Sequence, residues 1–193
     1  MTISVLKVQE VVQLLEDMSL CIDQWGRVKD KTKGKQLCSQ YNPSREALEL
    51  YCFAFHVAGW IRNDEWKLML FDNSSLLSLD EKVVFSQFSS KEFENIFCVE
   101  NPALLVDLNV GSRSRSEIKV AYLIYFTLLF EAHCWIVSSA CRHGQHLGIQ
   151  DGFVYFISKD NEHIDSAQDL ISNYETNKRK MPDWTIKSKG SAT

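Results

Sequence analysis

The segment from Ile118 to Ala140 constrains the fold more than any other part of the chain. It is apolar almost throughout, interrupted only by Lys119, Glu131 and His133 among groups that carry charge near neutral pH. A run of this length belongs either in a bilayer or in a protein core. Glu131 and His133 would lie near the middle of a membrane span, where charge is expensive, and no second span or anchoring pattern supports insertion. The reading is therefore a buried central helix over about 115–141, bent near Glu131. Ser114-Arg-Ser-Glu117 matches a capping box at its start, and Arg142, His143 and Gly144 suit its end.

Other elements are placed around that helix. Val5, Val8, Val12, Leu15, Met18, Ile22 and Trp25 recur at helical spacing, with Gly26 as a stop, and predict a long first helix. Asn42-Pro43 starts a second, ending near Trp60 and Ile61. Ser78-Leu-Asp-Glu81 and Ser89-Ser-Lys-Glu92 are two further capping boxes, and Asp165 caps a last helix whose inner face is Ala167, Leu170, Ile171 and Tyr174. Residues 66–71, 103–110 and 153–157 read as a minor sheet, with Asp151-Gly152 as a tight turn. The expected fold is mainly α: one compact domain of five to seven helices around the central one, residues 1–177, followed by a basic, flexible tail, 178–193. An α+β fold in which part of 117–126 is a strand is the alternative.

At 193 residues the chain can bury roughly 70% of its unfolded surface without a metal or disulfide staple. Its six cysteines are scattered through apolar stretches without a C-x-x-C pair, and the start, MTISVLKVQEVVQLLED, has no basic n-region. Reduced thiols and a cytoplasmic location are expected. The net charge of −4 is uneven. Arg27 to Lys35 holds five cations against one carboxylate, as does the stretch from Lys178 onward, leaving a body of about −12. An acidic body favours basic partners and disfavours nucleic acid. The basic loop 27–35 contains no aromatic to stack on a base, so it reads as a solvated loop.

Asp107, at the end of an expected strand, followed by a turn and Glu117-x-Lys119, resembles the motif of the restriction-endonuclease-like nucleases. The resemblance covers LLVDLNVGSRSRSEIKV and implies two carboxylates holding a divalent metal, with the Lys positioning water. It requires residues 117–124 to be a strand; if Ser114 caps a helix, Glu117 and Lys119 are surface residues. Arg142-His143-Gly144-Gln145 resembles the RHG element of histidine phosphatases, which implies a nucleophilic His and a phosphate-cradling Arg. Here it falls late in the chain, and residues closing a helix explain it better. Only His143-x-x-His146 has zinc-ligand spacing; Cys134 and Cys141, two helical turns apart, read as core thiols. Pairing of Cys134 with His56 as a nucleophile and base is left open by the sequence.

These considerations favour a non-enzymatic protein-binding role, most concretely a bacterial immunity protein that neutralises a toxin, possibly a nuclease, through its acidic surface. Trp25, Trp60 and Trp66, at element ends beside charged residues, are the candidate partner-binding anchors. No cofactor, metal or membrane partner is expected. The alternatives are a metal-dependent nuclease using Asp107, Glu117 and Lys119, and a structural or regulatory interaction module.

Overall fold

The computed structural model describes residues 2–23, 27–32, 34–61, 66–71, 103–107, 113–138 and 145–185. In chain order they form β1 (Thr2–Leu6), α1 (Val8–Asp17), β2 (Leu20–Ile22), β3 (Val28–Asp30), β4 (Leu37–Tyr41), α2 (Ala47–Trp60), β5 (Trp66–Phe71) and β6 (Ala103–Asp107). There follow α3 (Arg113–Leu129), β7 (Cys134–Ser138), β8 (His146–Gln150), β9 (Phe153–Ser158), α4 (Asn161–Thr176) and a 3-10 turn at Asp183–Thr185. The expected helices at 78–81 and 89–92 lie outside the described residues, as does Trp25.

The fold is α+β, not mainly α, and the central helix of 115–141 is where the expectation fails. α3 ends at Leu129. Ala132 N–H donates to the Thr127 carbonyl at 2.9 Å and Glu131 N–H to Leu128 at 3.2 Å, the paired hydrogen bonds of a Schellman stop. Glu131 takes the left-handed conformation such a stop needs, φ 54°, and its carboxylate meets Arg45 at 2.5 Å. Past the stop the chain is extended, and all five residues of β7 are buried because the sheet is covered on both faces there. A strand buried on both sides has no alternation, so by composition it reads as a continuation of the helix.

The first helix also divides. Glu10 accepts the Lys7 N–H at 2.7 Å and fixes the start of α1, while Ser19, at φ 59°, turns the chain into β2. The loop expected over 27–35 contributes β3, paired with β2 in a two-stranded antiparallel ribbon. The Asp151-Gly152 turn joins β8 to β9 with both residues at positive φ (52° and 75°), the primed geometry that matches strand twist.

Seven strands form one antiparallel sheet in the order β1-β6-β5-β7-β8-β9-β4. One face is covered by helices. Phe53, Ala54 and Val57 of α2, Val120, Ala121 and Ile124 of α3, and Ala167 and Tyr174 of α4 meet Met69, Ile136, Leu147, Ile149, Val154 and Phe156 of the sheet. On the opposite face Val11 and Leu15 of α1, with Leu20 and Val28 of the ribbon, pack on Leu68, Leu70, Trp135 and Val137. Trp135 lies over Gly148 of the neighbouring strand, where a Cβ would fall 2.6 Å from the indole ring. A polar strut ties the ribbon to the sheet: Lys159, just past β9, reaches Asp30 at 2.9 Å and also binds Thr32. Burial alone would push the Asp30 carboxyl up, but hydrogen bonds from Thr32 and Lys159 outweigh it and hold it below its ordinary value. Among the described residues no helix is long and apolar enough to cross a membrane.

Candidate functional site

The residues singled out by sequence are not gathered at one place. Asp107 ends β6, in register with Thr2 and Trp66, whereas Glu117 and Lys119 fall in the first turns of α3, where Lys119 is exposed. The nuclease resemblance needs Glu-x-Lys on an extended strand, and here that tripeptide is helical. Residues 141–144 lie outside the described residues, so the RHG tetrapeptide and the zinc spacing are represented only by Gln145 and His146. His146 is buried in β8 beside the Trp135 ring, their centroids 6.0 Å apart. Cys134 is sealed in β7, and burial pushes its thiol well above the ordinary range. His56 faces a different neighbour, the Lys180 carbonyl at 3.0 Å. Among the described residues no three His, Cys, Asp or Glu side chains are grouped to hold a metal.

Two arrangements remain that sequence reasoning missed. The first is a cross-strand pair: the Lys67 Nζ donates to Ser138 Oγ at 2.9 Å, with both residues buried. Lysine is almost never buried without partners, and this pair satisfies part of that need at the end of β5 and β7.

The second is a cleft of about 890 Å³ between α2, α4 and the segment that follows α4. The helices place its walls. Along α4 the inward positions Ile164, Ala167 and Tyr174 are buried, which turns Glu162, Asp165 and Asp169 outward at helical spacing. α4 carries four carboxylates and no Lys or Arg. Asp160 caps it by accepting the Glu162 N–H at 2.9 Å.

Trp60, at the last turn of α2, stands edge-on to Phe156 at 5.0 Å, and its indole N–H is shared between the His163 carbonyl (3.1 Å) and Ser166 Oγ (3.0 Å). Its orientation is therefore fixed, with part of the ring lining the cleft. Trp184 forms the facing wall, stacked on Phe55 at 5.8 Å with planes 21° apart. Asp169, Asn173 and Asp183 supply polar groups between the tryptophans, and burial holds the His56 imidazole below its ordinary pKa and so neutral.

Of the expected anchors, Trp60 lies on this cleft, Trp66 is a residue of β5, and Trp184 is an addition. The basic stretch expected to be flexible is, as far as Thr185, laid against the core: Met181 and Trp184 pack on the helical cluster. Lys178 meets Glu175 at 3.1 Å, and Arg179 meets Glu46 at 3.4 Å and Glu49 at 3.7 Å.

No family model matches the chain, and the searches of curated proteins and of solved structures also return no match. The immunity-protein reading rests on an acidic body, candidate edge tryptophans and the lack of a coherent catalytic set in the sequence. Nothing in the comparisons points to immunity or to a toxin, and that reading is not carried further.

Proposed function

We propose that the chain is a protein-binding module that takes a basic segment of its partner into the cleft between α2 and α4. The supporting observation is the pairing of two oriented tryptophans with two carboxylates on the cleft wall, Asp169 of α4 and Asp183, beside a single cation among the described residues, Lys180. Aromatic faces and carboxylates together favour Lys and Arg side chains, through cation–π attraction and charge-assisted hydrogen bonds. Trp60 spends its polar handle inside the protein, so the wall it offers is apolar and rigid, as an anchor site requires. Recognition of this kind is steered by charge and weakened by salt, the Debye length being about 8 Å at physiological ionic strength.

The test is a titration of the full chain with Lys/Arg-rich and with Glu-rich nonapeptide pools, followed by tryptophan fluorescence. Basic peptides are expected to bind at about micromolar Kd, and Asp169→Lys to weaken them by about tenfold. Equal binding of the acidic pool, or indifference to Asp169→Lys, would count decisively against the reading.

A further inference from the structure

We propose that residues 177–185 are an intramolecular ligand. The seat on α2 beneath them is then a recognition site for a basic segment ending in tryptophan, which the chain fills with its own strap until a competitor of the same chemistry displaces it. This seat adjoins the open cleft and shares His56, Gly59 and Trp184 with its wall, but the inference is argued from the strap's own contacts and does not rest on what the cleft binds.

The strap is built like a docked peptide. Within itself it makes few backbone hydrogen bonds, among them Lys180 N–H to the Asn177 carbonyl at 3.1 Å and Thr185 N–H to Pro182 at 3.0 Å. Beyond the Lys178–Glu175 pair on α4 and the packing of Met181 on the core, what holds it lies on α2. The Arg179 guanidinium reaches Glu46 and Glu49 at the start of that helix, His56 donates to the Lys180 carbonyl one turn beyond its middle, and Trp184 stacks on Phe55. A basic head and an aromatic anchor thus read two sites on one helix.

Gly59 shows that α2 is shaped to this occupant. Gly59 lies in the last turn of α2, where glycine still favours the helix less than alanine does. A Cβ there would fall 2.7 Å from Trp184 Nε1, so the missing side chain is the space the indole fills. The cationic contacts, by contrast, are exposed ion pairs of the kind that contribute little individually: the Arg179 side chain is 63% accessible. A ligand held by one aromatic anchor and weak surface ion pairs is exchangeable, and tethering gives it an effective concentration of about millimolar. A free peptide must therefore compete with the strap, and the seat becomes visible when the strap is weakened.

The experiment uses a fluorescent synthetic peptide of residues 177–185, NKRKMPDWT, and the full chain as wild type, Trp184→Ala and Arg179→Glu. By fluorescence polarisation the peptide is expected to bind Trp184→Ala at least tenfold more tightly than wild type. Adding Gly59→Ala, which fills the seat while favouring the helix, should remove that gain, and replacing tryptophan by alanine in the peptide should abolish binding. Arg179→Glu loosens the strap without touching the aromatic contact, and decides the matter should Trp184→Ala lose its native amide-exchange protection. Equal affinity for wild type and both variants, no binding to either variant, or binding that survives Gly59→Ala would each overturn the proposal. Insensitivity of basic peptides to Asp169→Lys would sink the cleft reading while leaving this test intact.

Discussion

The two faces of the sheet are closed by different means. On the helical face three helices lay down a continuous apolar layer, in which Phe53 is fully buried and packs at a tilt against Tyr41 at 5.1 Å and Tyr174 at 4.9 Å. Among the described residues the other face is covered by one short helix and a ribbon of two three-residue strands, and α1 leaves Val8 71% exposed. Two particular fits stand on this side: Trp135 over Gly148, and the Lys159–Asp30 strut. The helical face carries the cleft and strap on its rim. The ribbon face depends on single contacts.

The largest expected difference is in core truncation. Phe53→Ala should cost about 3–5 kcal/mol and Leu15→Ala about 2–3 kcal/mol, read by urea denaturation. Equal costs would mean that the two clusters act as one core. Next is the indole fit: Gly148→Ala should destabilise by about 1–3 kcal/mol, because the ring above it is held by β7 and α1. In a Trp135→Leu background the same substitution should cost well under half as much; an unchanged cost would show that the ring is not what resists the methyl group.

The smallest effect is electrostatic. Folding lowers the Asp30 pKa, so its contribution is present above the ordinary carboxylate pKa of about 4 and is lost as pH falls through the folded value. Asp30→Asn should therefore cost about 1–2 kcal/mol at pH 7 and progressively less as pH falls below the ordinary carboxylate range. A cost independent of pH would show that the strut acts by shape and not by charge.

Much of the local structure was legible in the sequence. The β8–β9 turn follows from Asp151-Gly152, the strand at 153–157 from its aromatic and β-branched residues, and the inner face of α4 from its period. The long-range organisation was not. Glu131 gave no sign of ending a helix, since the stop depends on a left-handed residue and glycine is the usual signal. Lys7 and Ser19 hid the ends of α1 for the same reason: their conformations are set by hydrogen bonds, not by residue type.

Of the site, Trp60 was picked out because it stands at a helix end, but Trp184 was hidden in a stretch read as a solvated tail. The pattern Met181-Pro-Asp-Trp184 within a basic run was the available signal, two apolar side chains where a flexible tail needs none. The acidic face of α4 was equally available from the spacing of Glu162, Asp165 and Asp169 opposite Ala167 and Tyr174. Whether such a face borders a cleft depends on α2, which is distant in sequence, and no local pattern reports that.

The order of strands in the sheet also governs how the chain can be made. Both outermost strands are early in the sequence and pair with later ones: Thr2 lies opposite Asp107, and Leu37 opposite Ser158. Contacts that span such lengths of chain slow folding and must await the emergence of their partners. Among the described residues β4 pairs with β9 alone, so during synthesis it lacks that neighbour until β9 has left the ribosome, more than half the chain later. A nascent chain halted before residue 153 would display that strand unpaired, so this fold is one for which elongation rate and chaperone occupancy set the yield of native protein.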